Sequence, residues 1–151
     1  MRDEVYEFLL DYGFTNEEVE YFQDDNEKMF FTDLDEVNKN ISFLTSKGLG
    51  KEEVMYVFRN DSFAITVKDN RLVALDEVYY GVLSLSSEEL KTLIMNNPEC
   101  YTQSPIEMKK IIDHLVSKGH TINEIKEYFL KNSKVINLTL EEFINSISEI
   151  N

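Results

Sequence analysis

The chain has 151 residues, 42% hydrophobic and 29% charged, which supplies one packed core and is far from the composition of a disordered chain. Five glycines and two prolines are too few for an all-β fold with many tight turns, so helix is expected. A formal net charge of −14 repels polyphosphate and anionic membrane at long range and favours basic partners.

No apolar run approaches the roughly 20 residues that cross a bilayer. Met1-Arg2-Asp3-Glu4 has no apolar signal core. The single cysteine, Cys100, cannot close an internal disulfide. These features lead us to expect a cytoplasmic protein without a membrane partner. Its many Asn, Lys and Ile residues suit an AT-rich bacterial or phage genome.

The first helical pattern is Val5, Phe8, Leu9 and Tyr12. From residue 13 a segment recurs: Gly13-Phe14-Thr15-Asn16-Glu17-Glu18-Val19, Gly48-Leu49-Gly50-Lys51-Glu52-Glu53-Val54, Ser84-Leu85-Ser86-Ser87-Glu88-Glu89-Leu90 and Gly119-His120-Thr121-Ile122-Asn123-Glu124-Ile125. The copies lie 35, 36 and 35 residues apart. Thr15, Ser86 and Thr121 are N-caps, each with a glutamate three positions on, which makes a capping box. Gly50 takes the cap position in the second copy, with Glu53 behind it. Glycines 48 and 119 suit the left-handed residue that ends a preceding helix.

A second cap is expected in each repeat at Asp33, Asp69, Ser104 and Thr139, with Glu36, Glu107 and Glu142 completing boxes and Pro105 at a first helical position. The helices that follow carry Val37, Ile41 and Leu44; Leu72, Leu75 and Val78; Met108, Ile111 and Ile112; and Phe143, Ile144 and Ile147. Each repeat is thus a short helix, a turn and a longer helix. Neither helix can bury its stripe alone, so neighbouring repeats must stack. The expected architecture is one all-α domain over 1–151, a right-handed helical solenoid. It has a leading half-repeat (1–12) and about four helix-pair repeats of 35–36 residues (13–47, 48–83, 84–118 and 119–151).

The inter-helix segment reads Leu93-Ile94-Met95-Asn96-Asn97-Pro98-Glu99-Cys100-Tyr101 in the third repeat. Together with the Gly–hydrophobic–Ser/Thr–x–x–Glu opening, it resembles the repeat of the mitochondrial transcription termination factor (mTERF) family over nearly the whole chain. Pro98 keeps the family's proline, Ser62 and Ser133 replace it, and the first repeat has Asp24-Asp25-Asn26-Glu27 there. The resemblance implies a helical-repeat fold that binds nucleic acid along a basic face.

The charge is unevenly spread. Residues 1–46 hold 13 acidic and 3 basic side chains, whereas residues 47–82, 83–117 and 118–151 hold 6 and 5, 5 and 3, and 5 and 4. Two binding surfaces follow. The first is an acidic one for a basic protein surface, such as that of a nucleic-acid-binding protein, whose channel it would fill as a mimic of phosphate charge. Glu17, Glu20, Asp24, Asp25, Glu27 and Asp35 form it, and the apolar run Met29-Phe30-Phe31 offers Phe30 as an anchor. The second is a nucleic-acid surface of Lys51, Arg59, Lys68, Arg71, Lys109, Lys110, Lys131 and Lys134, which the overall charge disfavours.

No enzyme chemistry is expected. His114 and His120 are six apart across a helix end, which does not suit a metal. Cys100 sits at an apolar position, as a core residue would. Asp24-Asp25-Asn26-Glu27 lacks the alternation and glycine of a calcium loop, so it reads as a solvated turn. The recurring glutamates belong to caps, and no cofactor is implied.

Overall fold

The computed structural model describes residues 3–150, and side chains through residue 147. Among the described residues every regular element is helical. The chain forms two compact units, Met1–Lys68 and Asp69–Asn151. The first holds α1 (Glu4–Tyr12), α2 (Asn16–Asp25), α3 (Leu34–Ser46) and α4 (Lys51–Asn60), with 3-10 turns at Glu27–Phe31 and Ser62–Ile65. The second holds α5 (Asp69–Asp76), which continues as a π-helix over Glu77–Val82. Then come α6 (Ser87–Asn96), α7 (Pro105–Ser117), α8 (Ile122–Lys131), a 3-10 turn at Ser133–Asn137, and α9 (Leu140–Ile150).

The expected caps set most of these boundaries. The Thr15, Ser86 and Thr121 hydroxyls accept from the backbone N–H of Glu18, Glu89 and Glu124 at 3.1 Å, and each glutamate accepts from its cap's own N–H. At Gly50 no side chain is available, yet Glu53 still accepts from the Gly50 N–H at 2.8 Å. Thr139 and Glu142 form the same reciprocal pair ahead of α9. Asp33 and Ser104 also cap, accepting from Glu36 N–H and Glu107 N–H. Their glutamates, however, do not close boxes as the spacing predicts. Glu36 takes Lys68 at 2.8 Å, and Glu107 reaches the Leu140 N–H at 3.0 Å and Lys110 at 2.9 Å. Both carboxylates find a stronger or less satisfied donor outside their own helix.

One expected cap is displaced. Asp33, Ser104 and Thr139 stand just ahead of their helices, but α5 begins at Asp69 itself, so Lys68 holds that position. The second repeat's extra residue therefore lies in its second helix and not in the turn before it. The π-helix absorbs it. Leu83 N–H bonds the Val78 carbonyl at 2.9 Å, one residue beyond α-helical reach, and Leu85 N–H bonds the Tyr79 carbonyl. Core register follows: Val37 and Leu72 are 35 apart ahead of the π-turn, Leu49 and Leu85 are 36 apart after it, and all four are buried.

Packing repeats within each unit. In the first, α3 lies against α1, α4 and the Ser62–Ile65 turn; in the second, α7 lies against α5, α8 and α9, and α6 against α8. Val19, Phe22, Val37, Val54 and Phe58 are fully enclosed in one unit, and Leu75, Leu90, Met108, Ile111 and Phe129 in the other. Burial of such side chains contributes about 1.5–3 kcal/mol each. Cys100 is in the core, and its carbonyl accepts the Tyr79 hydroxyl from the π-turn. Tyr101, edge-on to Tyr79, donates its own hydroxyl to Asp76. Burial pushes both phenols far above the usual tyrosine range, so the network is held neutral on the tyrosine side.

Candidate functional site

In the first unit the predicted acidic residues lie on three consecutive elements. Glu17 and Glu20 are on α2, Asp24 and Asp25 in its last turn, Glu27 opens the 3-10 turn, and Asp35 is in the first turn of α3. All six are exposed. Two have work inside the fold: Asp25 accepts from the Ser62 hydroxyl at 2.6 Å, and Glu20 is 3.4 Å from the Tyr6 hydroxyl. Among the described residues, Glu17, Asp24, Glu27 and Asp35 have no hydrogen-bond or ion-pair partner. Glu17 and Asp35 still suit the positive ends of their helices. Asp24 is at the negative end of α2, which has no basic residue in its last turn, so its placement works against helix stability.

The Asp24-Asp25-Asn26-Glu27 run is not the wholly solvated turn that its composition suggests. Asn26 is buried, and its amide donates to the Ser62 carbonyl at 3.1 Å and to the Thr66 hydroxyl at 2.8 Å. Asn97 makes the same pair of bonds in the second unit, to the Ser133 carbonyl at 3.0 Å and to Asn137 at 2.9 Å. These asparagines fasten one inter-helix turn to the next.

The hydrophobic run splits three ways. Met29 is buried, Phe30 is 42% exposed and Phe31 is 88% exposed. Phe31, not singled out with Phe30 from the sequence, is the more accessible ring. The repeat alignment carried the signal: its counterparts are Thr66, Thr102 and Asn137, all polar, so a phenylalanine there has no core position to enter. Phe30 has buried counterparts, Ile65, Tyr101 and Ile136. In the next turn Ile65 packs under α3, 13 residues long, whose Asn40 donates to the Ile65 carbonyl at 2.7 Å. The helix ahead of Phe30, α1, starts at its Asp3 cap and has 9 residues. Tyr21 on α2 adds a third exposed ring.

The predicted basic residues are divided between the units, and most are engaged. Arg59 pairs with Glu18 at 2.5 Å and lies over the Phe14 ring at 5.4 Å, and Lys51 lies 5.1 Å from the Tyr12 ring centre. Arg59 also holds the Glu18 carboxyl below the usual range. Lys68 is taken by Glu36 and Lys110 by Glu107, while Arg71 donates to the Thr102 and Gln103 carbonyls. Among the described residues, Lys109, Lys131 and Lys134 stand exposed without an ion pair. Lys51, Arg59 and Lys68 belong to the first unit, and Arg71, Lys109, Lys110, Lys131 and Lys134 to the second.

Among the described residues no three His, Cys, Asp or Glu side chains converge to hold a metal, and no helix is long and apolar enough to cross a membrane.

Capped helix pairs at a 35–36-residue period, fastened turn to turn by buried asparagines, define a helical-repeat protein. The family model described as mTERF matches residues 1–146, and the chain belongs to the mTERF family. A search of curated proteins returned no match.

Proposed function

We propose that this protein is a non-enzymatic binding module whose acidic first unit engages a basic protein surface. One observation carries the reading. Glu17, Asp24, Glu27 and Asp35 are exposed and, among the described residues, without partners on the same stretch, from α2 to the first turn of α3, that carries Phe31, which is 88% exposed, while Arg59 and Lys68 of the same unit are held by Glu18 and Glu36. An exposed aromatic anchor amid unneutralised charge fits a hot spot with a charged rim. A partner that binds nucleic acid would present the complementary field, and the acidic face would then occupy its channel in place of phosphate. The test compares affinity capture from the native host by the wild-type chain and by Asp24→Lys/Glu27→Lys/Phe31→Ser. Basic proteins captured by the first and lost by the second, with helicity unchanged, support the reading; identical captured sets overturn it.

A second reading rests on family membership, since mTERF proteins typically bind nucleic acid. Lys109, Lys131 and Lys134, unpaired in the second unit, are the residues that favour it. Titration with DNA and RNA at low salt separates the two. Binding that weakens steeply with salt and is lost in Lys131→Gln/Lys134→Gln would put nucleic acid first.

A further inference from the structure

The second unit has an apolar groove of about 450 Å3 beside α8 and α9. Ile125, Tyr128, Phe143 and Ile147 line it, with His120 and Glu124 at its edge. The repeat shows what such a surface ordinarily carries. The matching positions of the first repeat are Phe14, Glu18, Val19 and Phe22, and there α4 lies on top. Phe58 stacks on Phe14 at 6.3 Å between ring centres, and Arg59 pairs with Glu18. In the third repeat the matching Leu90 and Leu93 are buried, α8 packs on α6, and Lys126 pairs with Glu89 at 3.3 Å. In both, a short helix supplies apolar residues to the groove and a cation to the cap glutamate. In the last repeat Tyr128 is 37% exposed, against 1% for Phe22 and Leu93, and among the described residues no Lys or Arg pairs with Glu124, whose carboxyl has His120 as a charged neighbour.

We propose that this groove is a docking site for an amphipathic helix of another protein, one that sets apolar side chains against Tyr128 and Phe143 and an Arg or Lys against Glu124. The binding mode is helix-in-groove, with anchors at helical spacing. Charge complementarity argues for a basic helix: Glu124 is the local acceptor, in the place where Glu18 takes Arg59 and Glu89 takes Lys126 in the other repeats. The cap bond from the Thr121 N–H holds the Glu124 carboxyl below the usual range, so the acceptor stays ionised at neutral pH. His120, which is exposed, stands where Phe14, Leu49 and Leu85 are buried in the matching place. The site is independent of the acidic surface on the first unit.

A synthetic peptide of residues 47–62, which carries the α4 sequence with Phe58 and Arg59, is the probe. Binding to the whole chain is followed by fluorescence anisotropy and by amide and methyl NMR shifts. The expected result is saturable binding on the order of 100 µM, weak because a short isolated helix is marginal in water, with shifts centred on Ile125, Tyr128, Phe143 and Ile147. Tyr128→Arg should abolish it. Glu124→Gln, which keeps a cap acceptor, should weaken it roughly three- to tenfold. The same change should have no effect on a peptide bearing Arg59→Gln. Shifts scattered outside the groove, or equal binding to Tyr128→Arg, overturn the proposal. So does concentration-dependent dimerisation in sedimentation that Tyr128→Arg removes, since the occupant is then a second copy of the chain.

Discussion

The Asn26 side-chain amide donates to the carbonyl of Ser62, 36 residues ahead, and Asn26 is almost wholly buried in doing so. Its own carbonyl oxygen accepts from the Lys28 N–H, so one side chain both shapes its turn and fixes the next. A buried polar group of this kind is costly to leave half-satisfied. Asn26→Ala should therefore lower stability by about 1–3 kcal/mol, and Asn97→Ala should do the same in the second unit. Urea denaturation of each variant followed by far-UV circular dichroism measures it. A change below a few tenths would mean that water replaces both bonds freely.

Phe31 should behave in the opposite way. Its ring is 88% exposed, so Phe31→Ser should leave the denaturation midpoint within about 0.5 kcal/mol of wild type. Met29→Ser, two residues away and buried, should cost about 2–5 kcal/mol. Side-by-side thermal melts of the two variants check the contrast.

Ser84 has φ 56°, in the left-handed region, where the matching residues Gly48 and Gly119 have φ 93° and 97°. A side chain there costs about 1–2 kcal/mol, and glycine gives part of that back to unfolded-chain entropy. Ser84→Gly should stabilise the chain by about 0.5–1 kcal/mol, read from the shift in urea midpoint at unchanged slope.

The cap glutamates make a prediction about pH. The Arg59 bond lowers the Glu18 carboxyl, and the cap N–H groups of Ser86 and Thr121 lower those of Glu89 and Glu124. A carboxyl more acidic folded than unfolded binds fewer protons in the native state. Its contribution is complete above the unfolded value of about 4.3 and is lost as pH falls through the lower folded value. Stability should thus hold between pH 6 and 8 and decline below about pH 5. Reduced repulsion among the other carboxylates acts in the opposite sense, so the comparison with Glu18→Gln isolates the effect. That variant should be less stable at pH 7 and lose less on acidification.

Much of the fold was legible because caps are local. A hydroxyl and a glutamate three residues apart specify a helix start without reference to the rest of the chain, and Thr15, Ser86, Thr121 and Thr139 all appear where the spacing puts them. The Asp69 cap was misplaced because the extra residue can be absorbed on either side of it, and only packing reveals which. Ion pairing was illegible for a related reason. Glu18 and Arg59 are 41 residues apart, and no local pattern shows that one of the predicted cations is already taken. The acidic surface was better read than its anchor. Charge at α2 follows from the sequence, and so does the exposure of Phe31, through its polar counterparts Thr66, Thr102 and Asn137; the exposure of Phe30, whose counterparts Ile65, Tyr101 and Ile136 are buried, depends on packing above the turn.

The π-turn at Glu77–Val82 bears on how such an array can change. An inserted residue in an ordinary helix rotates everything after it by about 100°, and an apolar stripe so rotated faces solvent. Here the wide turn takes up the surplus within the helix that received it. Leu85 returns to the inside, and α6 and α7 start in phase with the helices they must meet. The error is corrected before it can spread. This helix is accordingly the place where the chain tolerates a change of length, and removing one residue between 77 and 82 should give a regular helix with its neighbours undisturbed.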